Sequence, residues 1–73
     1  MKLTIVESTS LATVAYDANR ELLQIEFRDG TIYRYVHVPA HVHVGLLRAP
    51  SKGSYFNRLI REKFVFTRIP AHS

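Results

Sequence analysis

Two clusters and one aromatic pair in this 73-residue chain combine residue types and spacing that suit a chemical task. Ser51-Lys52-Gly53-Ser54 stands where a helix is expected to begin, and the free backbone N–H groups and dipole of a helix start favour an anion. A phosphate fits such a place. The run lacks the GxxxxGK[ST] spacing of a nucleotide-binding P-loop, and its plainer reading is a helix cap by Ser51 with Gly53 easing the turn. Arg58 and Arg61, with Ser54 and Asn57, form the polar side of that helix and can contact phosphates, while Tyr55 at its edge can stack on a base. An amphipathic helix always turns polar residues outward, so a solvated surface is the competing account. Tyr33 and Tyr35 suit either a stacking platform on a sheet or packing in the core, and the strand register derived below favours the core.

His37, His41 and His43 crowd one junction, but spacing argues against a metal. His41 and His43 are two residues apart, which on a helix sends them to different sides, unlike an i, i+4 pair of ligands. The chain has no cysteine, which excludes disulfides, thiol nucleophiles and cysteine-containing zinc sites. No second carboxylate stands at a fixed spacing from Glu26, and neither Ser51 nor Ser54 has an acid and base whose convergence the sequence reveals. The expectation is a protein without catalytic residues, cofactor or metal.

Charge narrows the field of partners. Ten Lys and Arg face six Asp and Glu, a formal net charge of +4. Residues 1 to 47 are nearly balanced, with four basic and five acidic side chains, whereas residues 48 to 73 carry Arg48, Lys52, Arg58, Arg61, Lys63 and Arg68 against Glu62 alone. The whole excess lies in the last third, the kind of asymmetry that accompanies a nucleic-acid or anionic-ligand face. At 8.4 kDa the chain is one domain, residues 1 to 73, and its 47% hydrophobic and 22% charged residues are ordinary for a globular protein. Leu3 to Val6 is too short for a signal segment, no run approaches the roughly 18 apolar residues of a membrane span, and the expected location is the reducing cytoplasm.

The elements that must position these residues follow from periodicity. Leu11 to Asp17 has strand composition and ends at the turn-like Asp17-Ala-Asn-Arg. Leu23, Ile25 and Phe27 alternate with Gln24, Glu26 and Arg28, the period of a half-buried strand. Asp29-Gly30 then signals a hairpin into a third strand, Thr31 to Val38. A two-residue loop would leave Arg34 among apolar side chains. A three-residue Arg28-Asp29-Gly30 loop instead puts Gly30 in a left-handed bulge, pairs Phe27 with Thr31, and gathers Tyr33 and Tyr35 on the face of Leu23, Ile25 and Phe27. This register is preferred. Pro39 suits the first position of a helix that carries Val42 and Leu46 and stops at Pro50. A second helix after Ser51 gathers Phe56, Leu59, Ile60 and the stem of Lys63 on one side. Phe64 to Ile69 has strand composition and can return to the sheet edge, and Pro70 to Ser73 is expected to fray.

The fold class expected is therefore α+β: an antiparallel three-stranded meander, two short helices and a possible C-terminal edge strand. The succession Tyr16-Asp17, Leu23-Gln-Ile25-Glu-Phe27, Gly30, Tyr33-Arg-Tyr35, Val38-Pro39, Ala49, Ser51-Lys-Gly53, Tyr55-Phe56-Asn57 and Ile60-Arg61 resembles the KTSC domain over residues 8 to 69. That family takes its name from the C-terminus of some lysyl-tRNA synthetases and also includes small stand-alone bacterial proteins. The resemblance implies RNA binding and brings no catalytic residues with it. Pro50, between Ala49 and Ser51, and the histidines at 41 and 43 depart from the family's pattern.

Two functions remain open from the sequence. One is a non-catalytic domain that binds nucleic acid, RNA rather than DNA, with Lys52, Arg58 and Arg61 on phosphates and a tyrosine on bases. The other is a protein-interaction or homo-oligomeric module, using a free sheet edge or capturing a small anionic nucleotide at Ser51 to Ser54.

Overall fold

A computed structural model describes residues 1–70, so residues 71–73 of the segment expected to fray lie outside the described residues. Seven elements follow one another: β1 (Lys2–Ile5), β2 (Leu11–Asp17), β3 (Leu22–Phe27), β4 (Ile32–Tyr35), α1 (Ala40–Arg48), α2 (Lys52–Leu59) and β5 (Phe66–Ile69). The sheet has five antiparallel strands in the order β1-β2-β3-β4-β5, which corrects the three-stranded expectation. The C-terminal edge strand is real. The strand missed altogether is β1, where Leu3 and Ile5 point away from the core and the apolar alternation therefore does not report burial.

The central hairpin has the three-residue loop. Phe27 N–H donates to the Thr31 carbonyl (2.9 Å), Gly30 N–H donates to the Phe27 carbonyl (3.0 Å), and Gly30 takes φ 92°, a value that glycine adopts without a steric penalty. Asp29 steadies the loop by accepting from Thr31 N–H at 2.9 Å, a bond that also holds its carboxyl below the usual range. Ile25 lies opposite Tyr33 and Leu23 opposite Tyr35, so both tyrosines face the helices. Strand β4 stops at Tyr35, short of the expected Val38. His37 enters the left-handed region (φ 59°) and turns the chain, after which Val38 N–H donates to the Glu21 carbonyl instead of extending the ladder.

Both helices pack on one face of the sheet. Pro39 caps α1 from just outside rather than occupying its first turn, and Val42 and Leu46 are its buried residues. Phe56 and Ile60 are the buried residues of α2 and its cap, and with Val6, Leu11, Val14, Leu23, Ile25, Tyr35 and Val38 they complete the core. Full burial of a Leu, Ile or Phe contributes roughly 1.5–3 kcal/mol, so this small set carries most of the stability. Leu59, expected among them, is exposed, and Lys63 lies in a turn beyond the helix. The helix ends at Leu59: Ile60 N–H still makes the regular i→i−4 bond to the Phe56 carbonyl, and Arg61 N–H reaches back to the same carbonyl, which widens the last turn.

The other face of the sheet has no helix on it among the described residues. Thr13 donates to Glu26 (3.0 Å) and Arg34 to Gln24 (2.7 Å) across neighbouring strands there.

Candidate nucleic-acid interface

The two helices meet closely at one point, and that point shapes the site. A Cβ on Gly45 of α1 would run into the Tyr55 hydroxyl of α2, so glycine admits the ring. Tyr55 then donates to the Val42 carbonyl at 3.0 Å and spans the two helices. Its hydroxyl is engaged within the protein.

Around this contact lies a cleft of about 390 Å³ lined by Gly45, Arg48, Ala49, Pro50, Ser51, Ser54, Tyr55 and Arg58. Arg48 comes from the last turn of α1 and Arg58 from the last turn of α2, and both are exposed. No carboxylate lines the cleft, and the first turn of α2 has no acidic residue, among the described residues. Ser51 caps α2 by accepting from Ser54 N–H at 3.3 Å, as the plainer reading of that segment had it. The cleft therefore joins two guanidinium groups, two serine side chains and a helix start, a set suited to a phosphate.

The remaining predicted residues are distributed around this cleft. Lys52 donates from Nζ to the Ala49 carbonyl (3.1 Å) and so ties α2 to the end of α1. With Gly53 and Ser51 it borders a second hollow of about 290 Å³ that contains Glu7, a carboxylate that opposes an anion there. Gly53 sits against Ser10 of the loop between β1 and β2. Asn57 is exposed on α2, and Arg61 is exposed one residue past the helix cap, so the polar side continues beyond Leu59. Arg48 is the residue that sequence reasoning left out of the site. Its signal was its place just before the Ala49-Pro50-Ser51 corner, which folds α1 against α2.

The two strand tyrosines are packing residues. Tyr35 is wholly buried and offers no face for stacking on a base. Tyr33 is half-buried, stacked on Phe66 (ring centroids 5.3 Å, 7°) and edge-on to Phe27 (5.6 Å). Among the histidines, His43 stacks on Tyr16 (4.6 Å, 14°) while His41 is exposed, so the two diverge as their spacing required. Tyr16 in turn donates to the Val38 carbonyl at 2.6 Å.

Fold and cleft together define a small, open-faced α+β domain with two helices on one side of an antiparallel sheet. The chain belongs to the KTSC domain family, which matches residues 7–64, the span that contains the cleft. It is 39% identical over 61 residues to an uncharacterized protein of Stutzerimonas stutzeri, covering 84% of this chain and 86% of that one. It is also 38% identical over 63 residues to a lysine–tRNA ligase of Nostoc punctiforme, covering 86% of this chain and 11% of the ligase. The crystal structure of a KTSC domain protein from Yersinia pestis superposes with a TM-score of 0.90 at 32% identity, covering 94% of this chain and 97% of that one. No helix among the described residues is long and apolar enough to cross a membrane.

Proposed function

We propose that this domain is a non-catalytic RNA-binding module that holds phosphates in the cleft between α1 and α2. The observation that carries the reading is the lining itself: Arg48 and Arg58 from two helices, Ser51 and Ser54 between them, and no carboxylate among the described residues. Asn57 and Arg61 extend the contact along α2, and Lys52 adds charge while bracing the corner. The relationship to part of a lysine–tRNA ligase supports RNA over DNA as the partner. Tyr55 contributes its ring to the cleft wall.

The cleft's size favours a second reading. At about 390 Å³ it falls within the range of small-ligand pockets, so one nucleotide, free or at a strand end, is the alternative occupant.

An amide NMR titration with a mixed-sequence RNA oligonucleotide, at low and moderate salt, tests both. Shifts are expected at residues 45 to 61, with affinity falling on a log-log salt slope near −3 if about four phosphates are engaged. Arg48→Ala and Arg58→Ala should each weaken binding and make the slope shallower by about 0.7. A mononucleotide that produces the same shifts as the oligonucleotide selects the second reading. A salt-independent response, or no response at low salt, overturns phosphate binding.

A further inference from the structure

We infer that β1 is a dimerisation strand, which pairs antiparallel with β1 of a second copy about a two-fold axis at Thr4. Strand β1 ends the sheet, and its register shows which backbone groups are free. Val6 N–H donates to the Ala12 carbonyl, so Thr4 and Lys2, at even spacing from Val6, also turn their backbone groups toward β2. The N–H and C=O groups of Leu3 and Ile5 therefore point outward. In a pairing centred on Thr4, Leu3 faces Ile5 of the second copy and Ile5 faces Leu3, and each pair exchanges two hydrogen bonds. The strand is self-complementary.

The side chains agree with the backbone. Leu3 is 57% exposed and Ile5 82%, the latter the most exposed large hydrophobic side chain among the described residues. Paired strands set these four side chains beside one another on the open face of the sheet, where cross-strand apolar contacts stabilise a ladder. Charge fits as well, because Lys2 comes opposite Val6 of the second copy, one residue from its Glu7.

The opposite edge also has free backbone groups and exposed apolar side chains, Val65 and Phe66, but it differs in charge. Val36 N–H donates to the Val65 carbonyl, which turns the backbone of Phe66 and Arg68 outward. A β5–β5 pair would align Arg68 with Phe66 of the other copy and set the two Arg68 side chains diagonally on one face. Like charges brought together oppose pairing, a common protection of edge strands. The two edges are thus unequal, and β1 is the open one.

A two-fold axis normal to the sheet makes one ten-stranded sheet with all four helices on the same side. So short a ladder buries less than the roughly 800 Å² per partner of a standard interface, so the dimer is a reversible, concentration-dependent one.

Sedimentation equilibrium over a concentration series up to millimolar tests the pairing. A reversible monomer–dimer equilibrium is expected, weakened at least about tenfold by Ile5→Lys and by Ile5→Pro. The lysine keeps the N–H and removes the apolar contact, while proline removes an outward N–H that the monomer does not use, together with the isoleucine side chain. Arg68→Glu, at the β5 edge, should leave the equilibrium unchanged. In a mixture of differently labelled copies, an intermolecular Thr4 Hα–Hα contact is the direct signature. A monomer at every concentration overturns the inference, as does a dimer indifferent to both Ile5 variants or one lost with Arg68→Glu.

Discussion

Two tyrosine hydroxyls stand in opposite circumstances, and substitution by phenylalanine should separate them. The Tyr55 hydroxyl donates to the Val42 carbonyl, whereas that of Tyr35 is buried with no hydrogen-bond partner among the described residues. Tyr55→Phe should cost about 1 kcal/mol in urea denaturation. Tyr35→Phe should be neutral or stabilising by up to about 1 kcal/mol, because it removes a desolvated group that gains nothing in return. Burial, and after it the neighbouring Tyr33, pushes the Tyr35 phenol up to about 12, against a smaller downward pull from Arg61. Its stabilising preference for the protonated form is present below about pH 10 and is lost as pH rises towards 12. An ultraviolet titration should show a late phenol step that Tyr35→Phe abolishes. His43 has the reverse sense. Desolvation beside Tyr16 lowers its imidazole from 6.5, so the unfolded chain takes up the proton first and the group's contribution declines as pH falls below about 6.5. His43→Phe, which keeps an aromatic ring against Tyr16, should flatten that acid-side decline in the urea midpoint.

Between elements, the narrowest tolerance is at Gly45. A methyl group there must move the Tyr55 ring, which lengthens or breaks the Val42 bond and reshapes the cleft wall. Gly45→Ala is expected to cost about 1–3 kcal/mol despite alanine's better helix propensity, and to shift the same amides as Tyr55→Phe. An unchanged urea midpoint would show that the helices simply move apart. Which elements could be read from the chain follows from how local their causes are. The Asp29-Gly30 hairpin, its register and the Ser51 cap depend on neighbours a few residues away, and each is as the sequence indicated. Strand β1 depends on pairing with Leu11–Asp17, and its apolar side chains face outward, so its pattern carries no local sign of the sheet. The end of β4 was misplaced because His37 turns into the left-handed region, which non-glycine residues adopt in only a few per cent of cases and which no turn motif in the sequence announces. Of the candidate site, Ser54 and Arg58 were legible from helical periodicity and Ser51 from its place as a helix cap. Arg48 was not, because it joins them only when the Ala49-Pro50 corner folds one helix against the other.

Across the whole molecule, positive charge is concentrated rather than spread. The last third of the chain carries a net +5 and the rest −1, and Arg48, Ser51, Ser54 and Arg58 bring part of that third into one concavity. Concentrated charge makes association with a polyanion depend steeply on ionic strength, so if RNA is the partner, as proposed, its on-rate should fall more than its off-rate rises as salt is added, a separation that stopped-flow fluorescence resolves. If the copies pair through β1, both clefts open on one side of a common sheet, and an RNA long enough to span them should bind more tightly than twice the single-site occupancy implies.

The order of strands in the sheet is also an order in time. Strands β2, β3 and β4 each pair with the strand before them in the chain across a short loop, whereas β5 returns to its neighbour, β4, across both helices. Closing that long loop costs more entropy and is rewarded only once Phe56 lies beneath Tyr35 and Phe66 can settle on both tyrosines. The last strand to arrive should be the first to leave. Hydrogen exchange is expected to find the β4–β5 bonds opening well below the global unfolding free energy while β2–β3 opens only with it, so the chain's C-terminal hem loosens repeatedly during the lifetime of an otherwise intact fold.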